Sequence, residues 1–443
     1  MGVIEMNPSK KVVLGVQHLF AMFGSTVLVP TLTGLNVSVA LVCAGIGTLI
    51  FHFITGHKVP VFLGSSFAYI PAVQAVCING NPVLLDKLET QGISAVIADP
   101  LYYERLPYAL GGIVCAGLVY IILSFICRLV GPDRIRAFFP AVVTGPVIVV
   151  IGMTLAPTGI SMASSNWLIA LVVLVTIIAV SVFCKGFFKL VPILIGLALG
   201  YVVSMICDGF HLFSAPLVNF DIIANASWIN PFWSFNGEFF LFPKFDFQAI
   251  LLVAPVAFVT FMEHIGDITT NGSVVGKDFF KDPGLHRTLL GDGVATLAAG
   301  LLGGPANTTY SENTGVLAVT KVYDTAVIKI AAIFAIALGL FGKFGGVLQA
   351  IPDAVKGGMS IVLFGMIAAI GMRTLSEAQL DFSHSRNLMI VALILVFGLG
   401  LSNGITTPAF NLFGVAIPEI TISGLFIAVF AGALANKVLP KAV

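Results

Sequence analysis

The feature that most constrains this chain is the recurrence of apolar stretches of about 20 residues, the length an α-helix needs to cross the hydrocarbon core of a bilayer. They fall near 12–31, 37–55, 60–78, 108–130, 140–161, 166–184, 190–207, 247–266, 286–303, 309–322, 325–348, 355–373, 387–402 and 421–437, about 14 in all. Charged residues make up only 10% of the 443 residues, against about 25% in a soluble protein. Such a chain cannot solvate a globular surface, and its solvent is lipid. The pattern predicts an all-α polytopic membrane protein.

Basic residues orient these stretches. Lys10, Lys11, Lys58, Arg128, Arg134, Arg136, Lys185, Lys189, Lys277, Lys281, Arg287, Lys321, Arg373, Arg386, Lys437 and Lys441 fall on one side of a 14-span topology. The other side receives Lys87, Arg105, Lys244, Lys343 and Lys356. Lys and Arg collect in the cytoplasm, so both termini are expected there. The polar start with Lys10 and Lys11 lacks a signal-peptide cleavage pattern. The two long connections, 79–107 and 208–246, then lie outside, where Trp228 and Trp233 read as interface aromatics.

Several classes are excluded. The net charge of +1 and the lack of a long basic run argue against a nucleic-acid partner. The six cysteines form no C-x-x-C pair and read as small buried hydrophobes, not as metal ligands or disulfides. Glu263-His264 is not an H-E-x-x-H zinc site, and no Gly-rich phosphate loop follows a strand. An enzyme with catalytic residues is not expected, nor a metal or cofactor. Asp292, between Gly291 and Gly293, reads as part of a small-residue helix contact.

The two halves echo each other. Pro140, Val143 and Gly145, followed by Gly152-Met153, recur as Pro352, Val355 and Gly357, followed by Gly365-Met366. Seven spans is odd, so a seven-span repeat inverts in the membrane, and inverted repeats with broken helices mark secondary transporters. The broken helices are the third stretch, with Gly64, Ser65, Ser66 and Pro71, and the tenth, with Gly303, Gly304, Pro305 and Asn307. Irregular backbone at membrane depth is tolerated only where protein or a cavity satisfies it.

Carboxylates sit beside these breaks. Glu263 and Asp267, four apart, share a helix face. Glu312 follows the second break. A charge at bilayer depth is costly and by default functional. His264 is one step round and reads as a packed, hydrogen-bonded histidine. No Lys or Arg accompanies the carboxylates at mid-depth, which disfavours an anion carrier and suits a cation or a neutral, planar, donor-rich ligand. A nucleobase offers ring N–H donors to carboxylates and a π-face to Phe67 or Tyr310. Protonation turns a carboxylate from acceptor into donor, a route to proton coupling.

At these residues the chain resembles the nucleobase/ascorbate transporters, and within them the branch that carries uracil. The resemblance rests on Gln17-His18, Gly64-Ser65-Ser66-Phe67, Glu263-His264-Ile265-Gly266, Asp282-Pro283-Gly284, Asn307-Thr308-Thr309-Tyr310 and the run Glu312-Asn313-Thr314-Gly315 with Thr320-Lys321. It implies two inverted seven-span repeats, with short antiparallel strands in the third and tenth segments. It implies a core domain of residues 1–131 and 247–350 and a gate domain of 132–246 and 351–443. It further implies proton-coupled uracil import across the cytoplasmic membrane, by movement of core against gate in a homodimer joined through the gate. By resemblance Glu263 and Glu312 bind the base, Phe67 packs on it, and the backbone at Ser25 and Ser311, with the Tyr310 segment, lines the pocket. Asp267, with Glu263 and Glu312, handles protons or else fixes the pocket, and Phe364 lines the gate. Asp267, Ser311 and Phe364 depart from the residues expected of a uracil carrier at their positions, which leaves a xanthine or other purine permease as the alternative.

Overall fold

The computed structural model describes residues 7–230, 239–401, 404–408, 410–412, 415–417 and 420–440. Trp233 and Lys441 lie outside these residues, as do the side chains of Pro132, Arg136 and 410–420. The first segment of chain forms helices α1 (Pro8–Thr33) and α2 (Val37–Ile54), strand β1 (Leu63–Ser65), and helices α3 (Ile70–Ile78), α4 (Pro82–Gln91), α5 (Ile93–Ile97) and α6 (Pro100–Val130). Next come α7 (Pro132–Phe138), α8 (Ala141–Ala163), α9 (Trp167–Phe183), α10 (Pro192–Gly209) and α11 (Phe220–Asn225). The third segment holds α12 (Phe247–Val253), α13 (Val256–Val275), α14 (Leu285–Leu302), β2 (Asn307–Thr309), α15 (Ser311–Thr320), α16 (Thr325–Leu340) and α17 (Gly342–Gln349). The last holds α18 (Asp353–Glu377), α19 (Ser385–Gly400), β3 (Ile405–Thr407), β4 (Phe410–Leu412), β5 (Val415–Ile417), β6 (Ile420–Ile422) and α20 (Gly424–Val438).

The architecture is mostly helical and of the polytopic membrane type. Among the described residues, seven helical segments are long and apolar enough to cross a bilayer, and shorter apolar helices accompany them. Six of these helices have a first turn satisfied by a side chain. Asn7, Asn36, Asp99, Asn166, Asp246 and Asp324 cap α1, α2, α6, α9, α12 and α16, each side-chain oxygen accepting from a backbone N–H one or two residues into the helix. Such caps supply partners for N–H groups that helix geometry leaves orphaned.

One expectation needs correction. The fourth apolar stretch begins as helix at Pro100, not near 108, and the rest of the 79–107 connection is the short helices α4 and α5. Lys87 Nζ lies 2.8 Å from Asp99 Oδ2, and this bond with the Leu101 N–H holds the Asp99 carboxyl below its usual range. Between α19 and α20 lie the four short strands. β3 pairs with β6 and β4 with β5, both antiparallel.

Close helix contacts depend on missing side chains. Helix α8 packs along α18. A Cβ at Gly152 would stand 2.5 Å from Phe364 O, and one at Gly371 would stand 2.6 Å from Gly145 O. Small residues that admit backbone to backbone are the usual basis of tight helix pairing in membranes.

The strands β1 and β2 position the site. They pair antiparallel, Leu63 with Thr309, Gly64 with Thr308 and Ser65 with Asn307. The ladder continues through Ser66 N to Ala306 O at 2.9 Å and Tyr310 N to Phe62 O at 3.0 Å. Each strand is also clamped by one threonine. Thr48 of α2 accepts from Leu63 N at 2.9 Å and shares its proton between Ala44 O at 2.8 Å and Leu63 O at 3.3 Å. Thr296 of α14 accepts from Asn307 N at 3.2 Å and donates to Asn307 O at 2.9 Å. Both clamps grip the first residue of a strand, so extended backbone in an apolar bundle keeps its polar groups paired.

Candidate functional site

Helices α3 and α15 begin just past the strands. The chain leaves β1 through a short turn at Phe67–Tyr69 into α3, and leaves β2 at Tyr310 into α15. Tyr310 lies against Gly64, where a Cβ would stand 2.4 Å from the ring. Its hydroxyl donates to Ser65 O at 2.8 Å and accepts from Thr26 Oγ1 at 3.3 Å. The tyrosine thereby staples α15 to β1 and α1.

Glu312 sits in the first turn of α15, where free N–H groups favour negative charge. Ser25 of α1 donates to its Oε1 at 2.9 Å. Ser25 thus reaches Glu312 through its hydroxyl, whereas the resemblance implies a role for its backbone. Asp267 of α13 accepts from Thr309 Oγ1 at 2.8 Å on Oδ2, and from Ser311 Oγ on Oδ1. It is buried, and it ties α13 to the end of β2 and the start of α15. Glu263 lies one turn earlier on the same face of α13. Its Oε2 has no hydrogen-bond partner among the described residues. None of the three carboxylates pairs with Lys or Arg among the described residues.

Phe67 and Phe364 are buried and meet edge to face, with ring centroids 5.8 Å apart and planes at 87°. This contact joins the turn after β1 to α18. A cavity of about 630 Å³ lies along α3, lined in part by Pro71, Gln74, Asn79, Arg105, Thr158 and Gln248. Pro71, Gln74 and Ile78 of its wall follow Phe67 at helical spacing. Glu263, Asp267 and Glu312 do not line it.

His264 is the packed, hydrogen-bonded histidine that its position suggests, and its partners now have names. His264 is buried and hydrogen-bonded: Nδ1 lies 2.7 Å from Asp292 Oδ2, and Nε2 2.9 Å from Thr288 Oγ1. Asp292 is therefore a buried partner of His264 as well as part of a tight helix contact. Asn313 donates to His18 O at 2.9 Å and lies 3.1 Å from His18 Nδ1, fastening α15 to α1. Asn271 carries no signal in the sequence, because a neutral polar residue in an apolar run adds no charge.

Comparison with known proteins decides the family. The profile of a permease family matches residues 9–407. The chain is 39% identical to a probable uracil permease of Haemophilus influenzae, covering 98% of this chain and 95% of that one. It is 38% identical to a uracil permease of Bacillus subtilis, covering 100% and 95%, and 37% identical to one of Escherichia coli K12, covering 96% and 92%. The chain belongs to this family, the nucleobase/ascorbate transporters. It is a transporter and not an enzyme.

Solved structures show the fold of this permease independently. The transmembrane domain of the cyanobacterial bicarbonate transporter BicA matches with a TM-score of 0.57 at 14% identity, over 90% of this chain and 97% of that one. The murine anion transporter Slc26a9 in its inward-facing state matches with a TM-score of 0.64 at 10% identity, over 99% of this chain and 69% of that one. The permease is thus a multi-pass membrane protein of a transporter fold.

Proposed function

We propose that this permease imports uracil across the cytoplasmic membrane together with protons. The observation that carries the reading is the gathering of Glu263, Asp267 and Glu312 at the two strand-broken segments, with no basic partner among the described residues. Uracil presents two ring N–H donors, and carboxylates only accept when ionised. Glu263, with an oxygen that has no partner among the described residues, and Glu312, held by Ser25, take those donors. Phe67 packs on the ring, while Ser25, Tyr310 and Ser311 line the pocket. Asp267 exchanges the coupled proton, since its two acceptor contacts reach both β2 and α15. Relatives from three bacteria are named uracil permeases, which supports this substrate over a purine.

The movement is an elevator, with residues 1–131 and 247–350 as core and 132–246 and 351–443 as gate. The matched clamps Thr48–Leu63 and Thr296–Asn307, and the proline-capped starts of α8 and α18, support 14 spans in two inverted repeats. Both termini then face the cytoplasm, lipid surrounds the bundle, and a homodimer joins through the gate. The Phe67–Phe364 contact is where core meets gate beside the substrate.

The test is uptake of labelled uracil into proteoliposomes, with and without a protonophore and with excess xanthine. Uptake abolished by the protonophore and indifferent to xanthine is expected. Uptake of xanthine but not uracil would keep the fold and move the substrate to the purines.

A further inference from the structure

Asn271 lies on the same face of α13 as Glu263 and Asp267, one turn beyond Asp267. Its side chain is fully buried. The two amide hydrogens go to different elements. One is given to Pro60 O at 3.1 Å, in the irregular chain leading into β1, and one to Thr314 Oγ1 at 3.1 Å, on α15. A single carboxamide thus joins the site helix to both broken segments. Its Oδ1 has no partner among the described residues.

That last point distinguishes positioning from packing. An orphaned oxygen in an apolar bundle is destabilising. A leucine of similar size would fill the space without one. What leucine cannot supply is two directed bonds at a fixed angle. The second bond matters because Asp267 already holds the start of α15 through Ser311 and Thr309. The Asp267 contacts depend on a carboxylate that can take a proton. The Asn271 contact does not, because an amide keeps its hydrogens at any working pH.

We propose that Asn271 is a positioning residue, the proton-independent pivot that keeps α15 and the approach to β1 registered on α13 while the Asp267 contacts change; this rests on the transport reading above. Loading of Asp267 then swings the α15 start, with Glu312, about the Asn271–Thr314 bond and does not release the whole segment.

The experiment uses full-length protein in nanodiscs with Asn271→Leu, Thr314→Val, Thr314→Ser and the Asn271→Leu/Thr314→Val double variant. Amide hydrogen exchange across 307–314 is read first, since it needs no substrate. Asn271→Leu is expected to raise exchange there about tenfold, with α8 and α18 unchanged, and Thr314→Ser is expected to match wild type. Uracil affinity should fall in Asn271→Leu and Thr314→Val, and the double variant should lose less than the sum, because one bond is shared. Unchanged exchange in 307–314, or a rise spread evenly over the chain, would overturn the proposal. If Asn271→Leu does not fold, Thr314→Val decides on the same readout. Local exchange rising as expected in a protein that binds no uracil would uphold the pivot and sink the substrate assignment.

Discussion

Ser25 on the first helix donates a 2.9 Å hydrogen bond to Glu312, 287 residues further along the chain. The bond spans the two halves and lands on a carboxylate of the proposed groove. A hydroxyl on Oε1 helps to orient the carboxylate. Ser25→Ala should therefore keep the charge and lose its aim. A hydrogen bond to a charged group contributes about 1.5–3 kcal/mol, and part of it is recovered by water, so uracil binding should weaken roughly 5- to 30-fold. Titration calorimetry checks this, and an affinity equal to wild type would remove Ser25 from the site.

Replacing the carboxylates tests donor–acceptor logic. Glu263→Gln and Glu312→Gln each place an NH₂ donor where a ring N–H must be accepted. Each should lower affinity by at least about 2 kcal/mol, roughly 30-fold, since one buried donor is left unpaired. Near-normal binding in either variant would show that its residue does not touch the base.

Asp267 separates binding from accumulation. Its two oxygens are taken up by Ser311 and Thr309, so an amide can keep part of that geometry while losing the titratable proton. Asp267→Asn should retain substrate exchange between preloaded vesicles and lose uphill accumulation under a proton gradient. Accumulation at wild-type level would rule Asp267 out of the proton route.

Charge made part of this site legible in the sequence. Glu263, Asp267 and Glu312 stood out because carboxylates are rare in apolar runs, and Gly64, Pro71 and Pro305 marked the breaks. Asp292 was visible too, but its partner was not, because pairing with His264 depends on how α13 and α14 rotate against each other. Thr48, Thr296 and Asn271 left no trace. A threonine in a membrane helix ordinarily bonds back to its own helix, as Thr48 also does to Ala44 O at 2.8 Å. The start of α6 hid behind Glu104 and Arg105, although Asp99 and Pro100 carry the cap and first-turn signature. Strands β3 to β6 are three residues each, too short for an alternation to be read.

The paired threonine clamps give the sharpest test of the relation between the halves. Thr48→Val and Thr296→Val keep the branched shape and delete one hydroxyl. Each deletion frees a strand N–H and its carbonyl, Leu63 in one case and Asn307 in the other. An unsatisfied buried backbone group costs about 1–3 kcal/mol, so each variant should lose stability of that order in thermal unfolding. Thr→Ser at either position restores the hydroxyl and should recover most of the loss. If the halves are inverted repeats meeting at the β1–β2 pair, the two valine variants should behave alike. Their losses should also add less than fully when combined, because both act on one two-stranded ladder. A large effect at Thr48 with none at Thr296 would show that only one strand depends on its clamp, and would remove this pair of bonds as support for the repeat.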